Sequence, residues 1–160
     1  MITNKNSVGE KMKNFSFFIF TFSFIMMSTS LWGAFSRDSS GVVADSKSGL
    51  AWQDDYSDNG GEIKKATWQD ALVYCHELTL GGENDWRLPN IRELKSIVDD
   101  SKYNPAISSI FQNVTSYYYW SSTTRVSDSS NAWFVHFYNG YDRWYSKTNE
   151  GRVRCVRGGQ

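Results

Sequence analysis

The chain has 160 residues, 17 basic and 17 acidic side chains, two cysteines and an aromatic share of 16%. So even a charge balance excludes the general attraction that nucleic-acid and anionic-membrane binders rely on. Length and composition fit one globular domain behind a leader, with no low-complexity tract outside that leader.

The leader comes first. Lys11 and Lys13 precede an apolar run from Phe15 to Met27, interrupted only by Ser16, Thr21 and Ser23. Small and polar residues follow, ending near Ala34-Phe35-Ser36. This is the charged, apolar and small-residue order of a secretory signal over residues 1–36. The run falls short of the roughly 20 residues a spanning helix needs. Only an uncleaved leader would hold the protein in a membrane. Met12 offers an alternative start, and Gly33 a cleavage point besides the one expected after Ser36. Without Lys5, Glu10, Lys11 and Lys13, the domain at 37–160 keeps 14 basic and 16 acidic residues, a net charge of −2. The charge is unevenly spread. Asp38–Asp58 holds five Asp against Lys47, whereas Arg143–Arg157 holds five basic residues against Glu150.

Within the domain, Val42–Asp45 and Leu50–Trp52 flank Ser46-Lys47-Ser48-Gly49, the pattern of a β-hairpin. Asp54–Gly61 reads as a polar loop. Thr67 caps a helix whose Trp68, Ala71, Leu72, Cys75 and Leu78 fall on one face, with Gly81-Gly82 as its stop. Asp85–Leu94 forms a stiff corner. Pro89 biases Leu88 away from helix, and Asn90 with Glu93 makes a capping box. A second helix is expected from Asn90 to about Asp99. Pro105–Phe111 reads as a loop with at most one helical turn. Strands are then expected at Tyr117–Ser122, Ala132–Tyr138, Arg143–Ser146 and Gly151–Val156, with Ser127–Asn131 as a loop and Asn139-Gly140 as a turn. A hairpin, two helices and then several antiparallel strands make an α+β domain.

Cys75 and Cys155 are an even pair in an exported chain, which suggests a disulfide. A metal site has less support, because neither cysteine has a second Cys or His at ligand spacing. His76 adjoins Cys75 and would point elsewhere on a helix.

Five ordered blocks carry a family resemblance. They are Gly49–Gln53, Trp68–Leu78, Asp85–Leu94, Trp120–Thr123 and Arg152–Gly158. Together they resemble the bacterial Lcl C-terminal domain family, named for the C-terminal domain of a collagen-like surface adhesin. The resemblance spans about residues 41–159. It implies a C-type-lectin-like fold, with two helices packed on a twisted, mainly antiparallel sheet and the N- and C-terminal strands adjacent. It also implies a disulfide from the first helix to the last strand. The naming adhesin's domain binds sulfated glycans as a trimer. Between Ser36 and Gly41 there is no room for a collagen-like stalk, so the oligomeric state here stays open.

For an acidic polysaccharide the expected contacts are Arg143, Lys147, Arg152, Arg154 and Arg157, because Arg grips oxyanions with paired donors. Arg152 and Arg154 would share a strand face. The competing reading has these arginines pairing with the Asp-rich segment. For a neutral sugar, Tyr141, Trp144, Tyr145 and one of Tyr117–Tyr119 are the aromatic candidates. Trp52, Trp68, Trp86, Trp120 and Trp133 are assigned to the core. Asp54, Asp55 and Asp58 are the only candidates for a Ca²⁺ site, in a loop lacking the closing Glu of an EF-hand. Otherwise no cofactor is expected. His76 and His136 form no acid–base set with a nucleophile.

The expectation is therefore an exported, non-catalytic binding domain for an extracellular glycan or surface macromolecule. The first alternative is a cell-envelope interaction module without a sugar site. The second is an oxidoreductase-type enzyme of related fold, which would need a reactive thiol.

Overall fold

The computed structural model describes residues 35–159; the apolar leader, its alternative start at Met12 and the Gly33 cleavage point lie outside them. Strand β1 (Phe35–Arg37) pairs with β2 (Val42–Asp45), which forms the expected hairpin with β3 (Leu50–Gln53). Asp45 shapes the turn by accepting from Lys47 N–H and Ser48 Oγ, and Gly49 supplies a φ of 70°. β1 was not expected. It draws Phe35 and Ser36 into the domain, and the Phe35 ring meets Phe111 edge-on at 5.7 Å.

A short 3-10 turn (Ser57–Asn59) and β4 (Lys65–Ala66) lead to α1 (Trp68–Glu77). Thr67 caps α1 by accepting from Asp70 N–H. The helix stops at Leu78, earlier than Gly81-Gly82, which instead turn the chain between Leu80 and Glu83. α2 (Ile91–Ser96) opens with both halves of the capping box and ends at Ile97, shorter than the sequence pattern suggests. Arg87 in the preceding corner exchanges two backbone hydrogen bonds with Val156, and Pro89 C=O accepts from Ser122 N–H. The corner thus joins the end of the chain to the central strands.

Next come β5 (Tyr118–Thr124), β6 (Asn131–His136), β7 (Tyr141–Ser146), β8 (Gly151–Arg152) and β9 (Val156–Gly158). One sheet has the order β1-β2-β3-β9 and the other β4-β8-β5-β6-β7. All pairings are antiparallel except β5 with β8. The described residues form an α+β fold, with two helices and two mainly antiparallel sheets. The expected last strand is really two, because the chain leaves one sheet after Arg152 and enters the other at Val156. Val153, Arg154 and Cys155 make that crossing and are fully buried. β9 pairs with β3, so the N-terminal hairpin and the last strand are neighbours.

β5 and β6 separate two cores. Trp120, Ala132 and Phe134 face Ala71 and Cys75 of α1, whereas Tyr119, Val135 and Phe137 face Leu94, Ile97 and Trp52. Where both faces are covered, at Tyr119–Trp120 and Phe134–Val135, consecutive positions are apolar. Trp52, Trp86 and Trp120 are buried as expected; Trp68 and Trp133 are only half-buried. Cys75 and Cys155 form a disulfide across 80 residues, tying α1 to the crossing segment. Closing a loop that long contributes about 4 to 5 kcal/mol on the chain-entropy account.

Candidate functional site

Arg154 is the main correction among the expected contact residues. Its side chain is fully buried and ion-paired to Asp54 at 3.0 Å. It also donates to the carbonyls of Gln53 and Asn113, and its guanidinium lies 4.6 Å from the Phe111 ring centre. Burial opposes its charge, but Tyr56, Tyr119 and Asp54 outweigh that and raise its pKa. Residues 153–155 are not strand, so the expected period of two does not hold there and Arg152 and Arg154 share no face.

Asp54 is equally committed. Its carboxylate takes Arg37 Nε–H at 2.8 Å and the backbone N–H groups of Gln112 and Asn113. Asp55 closes its own turn onto Ser57, which lowers its pKa, while Asp58 accepts from Tyr74 Oη–H. The three acids therefore do not converge on a cation. Among the described residues no group of three or more His, Cys, Asp and Glu side chains is placed to hold a metal. The Asp-rich segment is instead a set of turn locks. Asp38-x-Ser40 and Asp55-x-Ser57 repeat in Asp99-x-Ser101 and Asp128-x-Ser130, each Asp accepting from the Ser N–H and hydroxyl.

The other expected contacts separate. Lys147 is half-buried, with its Nζ 3.9 Å above the Trp68 ring and donating to Thr124 Oγ1. It pins the start of α1. Arg157 binds Asp85 and Glu83, and Arg87 makes a two-pronged pair with Glu93 at 2.7 Å for each contact. Trp144 lies on the α2 side of β7, packed edge-on to Trp133 with Arg125 4.0 Å from its ring centre. Arg152 is half-buried at the mouth of a separate cleft.

Arg143 remains open. It is exposed, and no hydrogen bond or ion pair engages it among the described residues. It lies opposite Phe134, between Tyr141 and Tyr145 on the same face of edge strand β7. Tyr141 is 63% and Tyr145 47% exposed. Tyr145 meets Tyr118 edge-on at 5.7 Å, and Tyr117 stacks on Tyr118 at 4.7 Å. His136, the register partner of both Tyr118 and Tyr141, lies 5.9 Å from Tyr117. Burial lowers the pKa of His136, and its Nδ1 accepts from Tyr138 N–H, which requires the neutral ring. Tyr103 and Tyr138 extend the surface as an edge-on pair at 4.5 Å.

α1 covers the Trp120 end of this sheet face; at the other end Tyr118 is itself buried, 8% exposed, with the more exposed Tyr117 and Tyr145 against it. Burial and its tyrosine and Glu150 neighbours push the Tyr118 phenol up to about 12. Tyr117, Tyr141 and Tyr145 are the exposed rings here, and exposed aromatic area marks interaction surfaces, since tyrosine offers an apolar ring and a polar tip. The sequence pointed to Tyr141, Tyr145 and Arg143. It missed Tyr103, Tyr138 and the part played by His136. The strict alternation of Tyr141-x-Arg143-x-Tyr145 was the available signal.

These features define a disulfide-stapled α+β domain with one open, tyrosine-paved sheet face. The model of the Lcl C-terminal domain matches residues 41–157, and the chain belongs to that family. No curated protein compared with the chain matches it. The Cys75–Cys155 bridge is consistent with a periplasmic or extracellular location.

Proposed function

We propose that this protein is an exported, non-catalytic binding module that holds carbohydrate carrying acidic groups on the open face of β5–β7. The observation that carries the reading is the row Tyr141–Arg143–Tyr145, backed by Tyr117 and Tyr118. Flat aromatic faces stack on the C–H faces of pyranose rings, and successive same-face side chains on a strand stand roughly 7 Å apart. Arg143 supplies an unspent cation within that row. Both cysteines stand in the disulfide, which supports a binding role over the thiol chemistry that an oxidoreductase reading needs. The β3–β9 pairing and the helix-to-crossing disulfide support the C-type-lectin-like architecture that the resemblance implies.

The test is a glycan array combined with heparin-column retention, for the wild type and for Tyr145→Ala and Arg143→Gln. Retention that falls with salt and with either substitution supports the reading. Silence across the array would favour an interaction module of the cell envelope. Retention indifferent to both substitutions would move the site elsewhere.

A further inference from the structure

Beside the tyrosine face, a cleft opens between the 61–63 loop and the 112–115 segment, with Arg152 on its wall. The Arg152 backbone is held on both sides, paired with Lys65 in β4 and with Tyr119 in β5. Its side chain has little to do within the fold. One terminal N–H reaches Ile63 C=O at a long 3.4 Å, and the buried Nε–H has no acceptor. Arg37, Arg87, Arg154 and Arg157 each hold a carboxylate, whereas Arg152 holds none, although Glu62 lines the same cleft. The core Arg154 Nε–H also lacks an acceptor, so what marks Arg152 is its place on a cleft wall with no carboxylate partner and a terminal nitrogen that is not sealed.

Position connects this cleft to the open face. The Arg152 guanidinium lies 5.9 Å from the Tyr117 ring centre, and Tyr117 is the outer member of the Tyr117–Tyr118 stack. Building on the carbohydrate reading above, we propose that Arg152 forms a subsite for one anionic substituent of the sugar stacked on Tyr117. That substituent is a carboxylate or a sulfate ester. The Arg152 Nε–H is sealed within the fold, so the anion meets the terminal nitrogen that bonds nothing among the described residues. The exposed Gln112 amide, bonded to nothing among the described residues, is a second donor at the rim. Glu62, on the same cleft, weakens the hold on any anion there, so its removal tightens binding.

Calorimetric titration with a polygalacturonate oligomer (carboxylate only) and with dextran sulfate (sulfate ester only), at several salt concentrations, tests the subsite. Arg152→Gln should weaken the matching polymer roughly tenfold or more and flatten its salt dependence. Arg152→Lys should recover part of the loss, and Glu62→Gln should tighten binding. Melting curves of the oxidised proteins identify any variant that fails to fold; Glu62→Gln, at an exposed position, then still carries the test. Unchanged affinity and salt slope in Arg152→Gln and Glu62→Gln, with binding abolished by Tyr145→Ala, would overturn the subsite and leave the tyrosine face standing. A wild type that binds neither polymer overturns the subsite as well. Its behaviour toward neutral glycans on the array then decides the tyrosine face separately.

Discussion

Two regions of this domain use the same residue types to opposite ends. At the crossing between the sheets, Arg154, Asp54 and Arg37 form a largely buried network beside the Cys75–Cys155 bridge. Among their charged groups only the Arg154 Nε–H is buried without an acceptor among the described residues, and Phe111 and Tyr119 pack against the Arg154 guanidinium. On the open face of β5–β7, Arg143 stands among Tyr141, Tyr145 and Tyr118 with no partner among the described residues. The first region spends nearly every donor and ring on holding the fold. The second leaves them for something outside it. Residue type does not tell a site from a core; here the difference is that Arg154 is sealed against carboxylate, carbonyls and rings, whereas Arg143 faces solvent.

Substitutions should separate the two regions by what they damage. Cys75→Ala with Cys155→Ala removes a bridge that closes 80 residues, and chemical denaturation should show a loss of about 4 to 5 kcal/mol. Asp54→Ala leaves Arg154 buried and unpaired, an expected loss of about 3 to 5 kcal/mol. Glu93→Gln should cost no more than about 1 kcal/mol at neutral pH, because the Arg87 pair is partly open to solvent. Burial alone would raise the Glu93 pKa, but Arg87 and the Asn90 N–H hold it below its ordinary value. The stability it contributes is therefore present above the ordinary Glu range and lost as pH falls through the lowered value. Melting temperature against pH should fall less steeply in acid for Glu93→Gln than for the wild type. Tyr145→Ala and Arg143→Gln should shift stability least, within about 0.5 kcal/mol, while removing glycan retention. A stability loss at Arg143 as large as at Asp54 would erase the contrast between the regions.

Much of the fold was legible because it rests on local chemistry. The capping box at Asn90 and Glu93, the hairpin at Ser46–Gly49 and the cap at Thr67 all formed as expected. The cysteine count suggested the disulfide, and the family resemblance named its two ends. What the sequence concealed was non-local. Nothing near Arg152 or Arg154 marks the chain's passage from one sheet to the other, which turns one arginine inward and leaves the other at a cleft. The Asp-x-Ser repeats were visible as letters, yet the acids looked available for calcium until their turns were seen to consume them. The open face was half legible. Tyr141, Tyr145 and Arg143 were each named from the sequence, but as separate aromatic and cationic candidates with the strand begun at Arg143. β7 starts at Tyr141 and sets the three on one face, while Tyr103 and Tyr138 join them through tertiary packing.

The most direct test of this division is an amide chemical-shift map of the oxidised domain, titrated with a heparin-derived oligosaccharide. The account predicts saturable shifts at Tyr117, Tyr118 and His136 and along Tyr141–Tyr145, with Arg37, Asp54 and Arg154 unmoved. Shifts centred on the Arg37–Asp54–Arg154 network or on the Trp144 side of β7, or no shifts at all, would contradict it.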